Sequence, residues 1–393
     1  MALSSSSRVY DCIVVGAGIQ GSFTAYHLAK NQKRTLLLEQ FPLPHSRGSS
    51  HGQTRIIRRA YAEDFYTNMM DESYQLWADL ERESGIKLYR KTGLLVIAPS
   101  GNEEFESICK NMEQKKIPWE RFTKDQLMAK YPEFILNPED VVCCDNNGGV
   151  LYADKALRSV QEQFQRMGGV IQDGQKVKNI KPGQVVTVTT TSDIYEAKNI
   201  VITAGPWAQK VLSPIGLELP LKTLRINVCY WKEKIPGSPG LLQNFPAFLG
   251  VNLNGEEHEV YGLPCQEYPG LIKICFHGGN EADPEERELQ TKPPQIPDIQ
   301  ILCNFISKYL PGLHPKPAVI EQCMYTNTPD SNFILDYHPL YKNIVIGSGF
   351  SGHGFKLSPL VGKILSELSM GKEPAYDLTP FRITRFKTQS ASL

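Results

Sequence analysis

A stretch near the N-terminus is apolar without interruption. Cys12–Val15 shows no alternation of polar and apolar residues, which is the pattern of a parallel strand buried on both faces, and Thr35–Leu38 is predicted to be a second strand. The segment between them, which carries Phe23–Leu28, is predicted to be a helix. The order strand, helix, strand predicts a βαβ unit in a parallel sheet.

The rest of the chain predicts further elements of both kinds. The predicted helices are Glu63–Ser84, Asn102–Gln114, Thr123–Lys130, Leu357–Met370 and a helix from an N-cap at Asp154 to Met167. The predicted strands are Tyr89–Ala98 interrupted at Gly93, a buried strand at Cys143 and Cys144, Lys176–Ile180, Val185–Thr191, a strand from Asn199, Arg225–Trp231, Glu259–Leu263, Leu271–His277, Ala318–Met324, Phe333–Leu335 and a strand from Asn343.

These elements predict an α/β chain with two interleaved domains. We expect a Rossmann-type domain for a dinucleotide from residues 1–90, 152–220 and 322–393. The short runs between residues 221 and 320 are punctuated by proline and glycine, which favours an antiparallel sheet. We therefore assign residues 91–151 and 221–321 to an antiparallel-sheet (α+β) substrate domain.

The turn after the first strand carries three glycines. Gly16, Gly18 and Gly21 have the spacing G-x-G-x-x-G, which permits a tight turn, close approach of a pyrophosphate and close helix packing. Glu39 ends the second strand, where a carboxylate can accept a hydrogen bond from an adenosine ribose. An acid at this position favours NAD or FAD over NADP.

Composition narrows the class of protein. The 393 residues carry 42 basic and 42 acidic side chains, so no global field recruits nucleic acid or an anionic membrane. The nine cysteines form no C-x-x-C pair, and no histidines stand at metal-ligand spacing, which favours a reducing compartment without a metal site. We identify neither a secretory signal nor a membrane-spanning run. We expect small-molecule partners.

The segment after Glu39 is polar and glycine-rich. Arg47, Ser49 and Ser50 stand where they could extend the phosphate site. Arg55 and Arg58 are three residues apart and would share one face of a helical turn, and the two isoleucines between them favour burial. Buried arginines require an anion. A substrate carboxylate or the pyrimidine ring of a flavin would meet that requirement.

Four motifs in the same order resemble the monomeric sarcosine oxidase family over nearly the whole chain. They are Gly16–Gly21 with Glu39, Gly48-Ser-Ser-His-Gly-Gln-Thr-Arg-Ile-Ile-Arg58, Cys323-Met-Tyr-Thr-Asn-Thr-Pro-Asp330 and Gly349-Phe-Ser-Gly-His-Gly-Phe-Lys356. The chain is most similar to the animal, peroxisomal members, which also act on L-pipecolate. The resemblance implies FAD as the cofactor, attached covalently through a thioether at Cys323.

The resemblance also implies roles for single residues. Arg58 and Lys356 match the pair that holds the substrate carboxylate, and Arg55 and His51 match residues near the flavin. Lys273 matches the lysine at which oxygen is activated. The remaining pocket residues are His277 and Tyr261, although one more residue separates Tyr261 from Lys273 than in the bacterial pattern. The predicted cofactor-binding residues are Gly16, Gly18, Gly21, Glu39, Arg47, Ser49, Val177, Cys323, Gly349, Gly352 and Lys356.

Each of these residues also has a purely structural interpretation. Lys273 could be a solvated lysine on a strand, His277 a hydrogen-bonded core histidine and Cys323 a buried thiol. Two other functions stay open at this point. One is a glycine-oxidase or D-amino-acid-oxidase type of amine oxidoreductase, and the other is a scaffold in which the flavin has no catalytic role.

The predicted function is that of a monomeric flavin-dependent oxidase. We expect it to oxidise sarcosine, L-pipecolate or a related secondary amino acid and to reduce O2 to hydrogen peroxide. The chain ends in Ala391-Ser392-Leu393, which matches a peroxisomal targeting tripeptide at its first and last positions but lacks the basic middle residue. We expect an import receptor to bind this tail and the protein to be peroxisomal.

Overall fold

The computed structural model describes residues 9–236, 244–253, 258–289 and 294–386. The α-helices in these ranges are α1 (Ile19–Lys30), α2 (Asp64–Ser84), α3 (Glu103–Gln114), α4 (Lys124–Lys130), α5 (Ala153–Arg166), α6 (Ala208–Leu212), α7 (Asp298–Tyr309) and α8 (Ser358–Ser369). The strands are β1 (Val9–Val15), β2 (Thr35–Leu38), β3 (Thr54–Ile57), β4 (Tyr89–Lys91), β5 (Leu94–Pro99), β6 (Trp119–Phe122), β7 (Asp140–Asp145), β8 (Gly149–Tyr152), β9 (Val170–Gln172), β10 (Val177–Lys181), β11 (Val186–Thr190), β12 (Ile194–Ile202), β13 (Lys222–Lys232), β14 (Ala247–Val251), β15 (Glu259–Pro264), β16 (Leu271–Phe276), β17 (Asn280–Glu281), β18 (Val319–Asn327), β19 (Ile334–Tyr337) and β20 (Ile344–Ser348).

An eight-stranded sheet has a parallel centre. β9, β2, β1, β12 and β20 lie side by side and run parallel, and β19 continues the sheet antiparallel to β20. The hairpin of β10 and β11 joins β12 on its other half. Helices α1, α5 and α8 pack together on one face of this sheet. The βαβ unit predicted from the N-terminal pattern is confirmed.

A nine-stranded sheet forms the second large layer. Its strands follow the order β17, β13, β16, β15, β14, β5, β7 and β6, with β18 paired to β13. All pairs are antiparallel except β14 with β5, so the predicted antiparallel character is confirmed for most of the sheet. A small sheet of β3, β8 and β4 carries the segment that contains Arg55.

Local signals account for several helix ends. Asn102 caps α3 by accepting a hydrogen bond from the Phe105 N–H, and Thr123 with Gln126 forms a capping box at α4. Gly85 ends α2 with φ +70°, a left-handed conformation that favours glycine. The predicted bounds of these helices agree with the structure to within one residue.

Some element predictions were wrong or incomplete. Asp154 is not an N-cap: α5 follows directly from β8, and the Ala153 N–H donates to the Gln53 carbonyl at 2.7 Å. The Tyr89–Ala98 strand divides at Gly93 (φ +73°) into strands of two different sheets. Strands β6, β8, β9, β14 and β17 and helices α6 and α7 carried no prediction. The expected helical turn at Arg55 and Arg58 is wrong, because Thr54–Ile57 pairs with β8 as strand β3.

The predicted domain boundaries remain predictions. Three of them fall inside strands: position 90/91 lies within β4, position 151/152 within β8 and position 321/322 within β18. Because β18 pairs with β13 from Val319 to Asn327, the chain is still in the nine-stranded sheet at residue 327.

Candidate active site

A cavity of about 1390 Å³ is lined by residues of all three sheets. This volume exceeds the roughly 300–1,000 Å³ of a typical small-ligand pocket. Most of the residues predicted to bind cofactor or substrate line it. Arg47, Gly21 and Gly349 do not.

The glycine-rich turn forms one end of the cavity. Gly16 has φ +101°, and a Cβ there would lie 2.5 Å from the Thr203 carbonyl oxygen. A Cβ on Gly21 would overlap the carbonyl oxygen of Gly16, so this glycine permits close packing of helix on strand. Gly18 precedes α1 without a side-chain cap of its own. The Ile19 N–H donates to Ser50 Oγ, and the first-turn N–H groups after Ile19 are the ones left for an anion.

Glu39 is buried at the same end. Its Oε2 accepts the Ala17 N–H at 3.0 Å, and its Oε1 accepts the Phe41 N–H at 3.1 Å. His45 Nε2 lies 3.3 Å from Oε1. The carboxylate is therefore fixed in orientation beside the glycine turn, as recognition of a ribose hydroxyl requires.

Only some residues of the polar loop that follows contact the glycine turn and Arg55. Ser50 Oγ accepts the Ile19 N–H at 3.0 Å, and the Ser49 carbonyl accepts a hydrogen bond from Arg55. Arg47 points instead to Glu288, 3.6 Å away, and its carbonyl accepts a hydrogen bond from Arg287. Arg47 thus lies outside the group of residues that the cavity brings together.

The other predicted cofactor residues come from distant parts of the chain. Val177 and Gly352 line the cavity, and Gly352 has φ +77° with no space for a Cβ beside Tyr325. Gly349 (φ +64°) packs against Thr328 behind the wall.

Cys323 lies on β18, buried at 6% exposure, with Sγ 3.7 Å from the Ser49 carbonyl oxygen. His51 joins this strand to the polar loop, since Nε2 is 3.1 Å from the Gln322 carbonyl and Nδ1 is 2.5 Å from that of Gly48. Burial, followed by the charge of Arg55, lowers the pKa of His51 to about 4. The imidazole is neutral at physiological pH.

Arg55 is held by backbone carbonyls. Its guanidinium donates to the carbonyls of Thr54 at 2.8 Å, Ser49 at 3.0 Å and His51 at 2.5 Å. Among the described residues no carboxylate forms an ion pair with it. Its positive charge is therefore oriented but not neutralised.

Arg58 and Lys356 face one tyrosine. The guanidinium carbon of Arg58 lies 4.1 Å from the centre of the Tyr61 ring, and Lys356 Nζ lies 5.7 Å from it. Lys356 is 6% exposed and donates to the His353 carbonyl at 3.1 Å. Burial, then the charge of Arg58, holds the pKa of the Lys356 ammonium well below its ordinary value. A bound anion would reverse that effect.

The carbonyl of Lys356 is itself anchored. The Ser73 hydroxyl donates to it at 2.6 Å and the Trp77 indole N–H at 2.9 Å, both from helix α2. These contacts fix the position from which the Lys356 side chain enters the cavity.

His277 and Tyr261 meet a residue that the sequence analysis did not select. Tyr325 OH lies 3.3 Å from His277 Nδ1 and 3.5 Å from Tyr261 OH. Burial, then the charges of Lys356 and Arg58, lowers the pKa of His277 to about 3. Tyr325 stands two residues after Cys323 on β18, and alternation along a strand places both on one face. That spacing was the available signal.

Lys273 lies on β16 and is only 4% exposed. Its Nζ is 3.5 Å from Glu267 Oε1 and 3.3 Å from the Thr54 carbonyl oxygen. The solvated-lysine interpretation is wrong. Glu267 and Glu259, the latter 3.8 Å from His277 Nε2, were missed because no local motif marks them. Thr54 stands inside the motif that ends at Arg58, but it was given no role.

The residues present fit FAD. The turn excludes a Cβ where a pyrophosphate must approach, the buried Glu39 carboxylate faces the ribose position, and the cavity continues to cations at Arg55, Arg58, Lys273 and Lys356. In the described residues no three His, Cys, Asp or Glu side chains cluster at metal-ligand distance, and no helix is long and apolar enough to cross a membrane. The nine cysteines all lie in the described residues, and none of them forms a disulfide.

A parallel sheet with a dinucleotide turn, joined through one cationic cavity to a second sheet, defines an FAD-dependent oxidoreductase. Comparisons with known proteins agree. The model of the FAD-dependent oxidoreductase (DAO) family matches residues 11–368. The peroxisomal sarcosine oxidase of Homo sapiens is 57% identical over 98% of each chain, and the monomeric sarcosine oxidase of Bacillus sp. strain NS-129 is 34% identical over 96% of this chain and 97% of its own.

A solved structure shares the fold. NikD, an unusual amino acid oxidase essential for nikkomycin biosynthesis, superposes with a TM-score of 0.79 at 21% identity over 95% of this chain and 97% of its own. The chain belongs to the DAO family of FAD-dependent oxidoreductases and, within it, to the monomeric sarcosine oxidase family.

Proposed function

We propose that this protein is an FAD-dependent oxidase that demethylates sarcosine and oxidises L-pipecolate or a related secondary amino acid, with O2 as the electron acceptor and hydrogen peroxide as a product. The observation that carries this proposal is the pairing of Arg58 and Lys356 over Tyr61 in the cavity that also holds Lys273. The names of the sarcosine oxidases similar to this chain support the choice of substrate.

FAD would be held at both ends of the cavity. We propose that Gly16, Gly18 and Glu39 bind its adenosine and pyrophosphate, and that Cys323 forms a thioether with the flavin. The position of Cys323 Sγ beside the polar loop, on the wall of the same cavity, supports the attachment. When bound, the flavin accepts a hydride equivalent from the carbon next to the substrate nitrogen and passes two electrons to oxygen.

The side chains of this chain would place the substrate. Arg58 and Lys356 bind the carboxylate, because two cations in a buried site form strong charge-assisted hydrogen bonds with it. His277, Tyr261 and Tyr325 are neutral at physiological pH and form the wall beside the clamp. These three side chains therefore do not compete with the carboxylate for the two cations. The acidic group beside them is Glu259, whose Oε2 lies 3.8 Å from His277 Nε2 and whose pKa is raised by burial.

The two other cations serve charge that develops during the reaction. Arg55 is oriented by three carbonyls and carries no counter-ion among the described residues, so it favours negative charge near the flavin position. Lys273 provides a second fixed cation, and we assign to it the step with oxygen.

The alternatives make different demands on the cavity. A flavin scaffold has no use for four cations, Arg55, Arg58, Lys273 and Lys356, around one cavity. A glycine-oxidase or D-amino-acid-oxidase type of enzyme would share the fold and would differ in substrate.

The distinguishing experiment is anaerobic addition of sarcosine to the purified holoenzyme. Bleaching of the flavin absorbance supports the proposal, and a spectrum that stays oxidised with sarcosine and with L-pipecolate rejects it. Steady-state rates on sarcosine, L-pipecolate and L-proline, compared with glycine and D-alanine, then rank the substrates.

We propose a peroxisomal monomer. The relatives from Homo sapiens and Mus musculus are named peroxisomal, and the relative from Bacillus sp. strain NS-129 is named monomeric. A product as reactive as hydrogen peroxide is consistent with a compartment that removes it. The Ala391-Ser392-Leu393 tail, which we propose is bound by the import receptor, lies outside the described residues.

A further inference from the structure

Glu267 is a buried carboxylate next to the predicted oxygen site. It lies in the connection between β15 and β16 and lines the cavity, with only 5% of its side chain exposed. A carboxylate in such a position is costly unless its charge is paired and its oxygens accept hydrogen bonds. Its partners therefore identify its task.

Three contacts fix Glu267. Its Oε1 is 3.5 Å from Lys273 Nζ and accepts the Thr54 hydroxyl at 2.6 Å, while its Oε2 accepts the Gln266 N–H at 2.9 Å. Lys273 Nζ also donates to the Thr54 carbonyl at 3.3 Å. Lysine, glutamate and threonine thus form a closed triangle from three separate segments of the chain.

The charges in the triangle depend on one another. Burial alone would raise the pKa of the Glu267 carboxyl, but the Lys273 charge and the Thr54 hydroxyl outweigh it, so this pKa lies below its ordinary value. Glu267 is therefore ionised at neutral pH. Removing it would leave the Lys273 ammonium buried without a counter-charge, and such an ammonium loses its proton more readily.

We propose that Glu267, with Thr54, is a positioning residue that keeps the Lys273 side chain protonated and directed into the cavity for the step with oxygen. This inference rests on the proposed function, which assigns that step to Lys273. A fixed cation favours the negative charge that oxygen acquires when it is reduced, and a neutral amine does not. Glu267 would thus act on the oxidative half-reaction and leave reduction of the enzyme by the amine unchanged.

The first measurement does not depend on turnover. Holoenzyme labelled with lysine enriched in ¹³C at the ε-carbon is titrated by NMR, and the Lys273 signal is assigned by its loss in Lys273→Met. We expect that signal to titrate at a lower pH in Glu267→Gln than in the parent protein, by at least about one pH unit. Glu321→Gln is the matched control, because Glu321 is a carboxylate of the same wall whose partners are the hydroxyls of Tyr230 and Tyr268.

The second measurement separates the half-reactions by stopped flow. In Glu267→Gln we expect reoxidation by O2 to slow by a factor that grows with rising pH and reaches about tenfold roughly one pH unit above the midpoint of the Lys273 titration in that variant, with flavin reduction by sarcosine within about twofold of the parent rate. Glu321→Gln should keep the parent pH profile. An unchanged Lys273 titration, or equal slowing of both half-reactions at every pH, overturns the proposal.

Two further comparisons keep the test decisive. If Glu267→Gln does not fold, Glu267→Asp and Thr54→Val replace it. Glu267→Asp keeps the negative charge, so Lys273 should titrate as in the parent protein. If Lys273 titrates at as low a pH in Glu267→Asp as in Thr54→Val, the proposed role of the charge is overturned. If no secondary amino acid reduces the parent enzyme, the proposed function fails, while the NMR comparison still decides whether Glu267 holds the charge of Lys273.

Discussion

Arg58 and Lys356 face the same ring, that of Tyr61, at 4.1 Å and 5.7 Å from its centre. The two cations come from distant parts of the chain, since Arg58 directly follows β3 and Lys356 lies in the turn before α8. The arrangement concentrates positive charge where, among the described residues, no carboxylate forms an ion pair with either side chain. A substrate carboxylate would complete it.

Removing either cation should weaken both binding and turnover. Arg58→Ala and Lys356→Met should each cost about 2–4 kcal/mol of transition-state stabilisation, or roughly 30- to 900-fold in kcat/KM for sarcosine. Dimethylamine, which has no carboxylate, should be a poor substrate whose rate hardly changes in the variants. Arg82→Ala, on an exposed face of α2, is the control. Unchanged efficiency on sarcosine would exclude the clamp.

The clamp should also depend on pH. The pKa of Lys356 is depressed by burial and by Arg58, so its charge is lost as the pH rises through a value lower than that of an ordinary lysine. Affinity for a carboxylate probe without an amine, such as methoxyacetate, followed by flavin difference spectra, should therefore fall with rising pH. In Lys356→Arg this fall should vanish, since a guanidinium stays charged. Identical profiles for the two proteins would contradict the assignment. His277, whose pKa is about 3, should add no step above pH 5.

Cys323 offers a simple chemical test. A thioether survives denaturation, so the flavin, detected by its fluorescence, should precipitate with the parent polypeptide in acid. From Cys323→Ser the flavin should be released to the supernatant. Cys275→Ser, which changes a fully buried thiol of the nine-stranded sheet, should keep its flavin attached. Release of all flavin from the parent protein would refute the covalent bond.

Two glycines of the same turn should fail in different ways. Gly21→Ala places a Cβ on the Gly16 carbonyl oxygen and should destabilise the fold by about 3 kcal/mol or more. Gly18 has φ −66°, and its added Cβ would lie 3.0 Å from Ser50 Oγ, which can rotate. Gly18→Ala should therefore fold but fail to incorporate FAD, because FAD must bind at this turn before the thioether at Cys323 can form. Thermal melting and flavin content distinguish the two, and full FAD in Gly18→Ala would argue against a pyrophosphate at this turn.

The last three residues lead to a prediction about the location of the protein in the cell. The last dozen residues, fused to a fluorescent reporter, should direct part of it to peroxisomes, and Ser392→Lys should increase that fraction because it restores the basic middle residue. A diffuse signal that only Ser392→Lys converts to puncta would show that the native tail is insufficient.

The structural features that could be predicted from the sequence are those that depend on residues close together in the chain. Gly16 to Gly21, Glu39 and the strand of Cys323 depend on neighbours in the chain, and their geometry follows from local turn and strand chemistry. Glu267 could not be predicted in this way. Its importance arises from Lys273 on the next strand and Thr54 on a distant one, and no pattern in one sequence reports such a contact. The strand of Cys323 was predicted, but its partner was not. The sequence analysis assigned part of β18 to the nucleotide domain, whereas tertiary structure pairs the strand with β13.

The placement of Cys323 on the nine-stranded sheet, opposite a nucleotide turn on the other large sheet, has a consequence for cofactor retention. A thioether there would make FAD a tethered ligand, present at a high effective concentration that does not change when the protein is diluted. Local opening of the glycine turn would then release the adenosine end only transiently, and rebinding would be intramolecular. Stability would become independent of free FAD, unlike that of a protein whose cofactor dissociates.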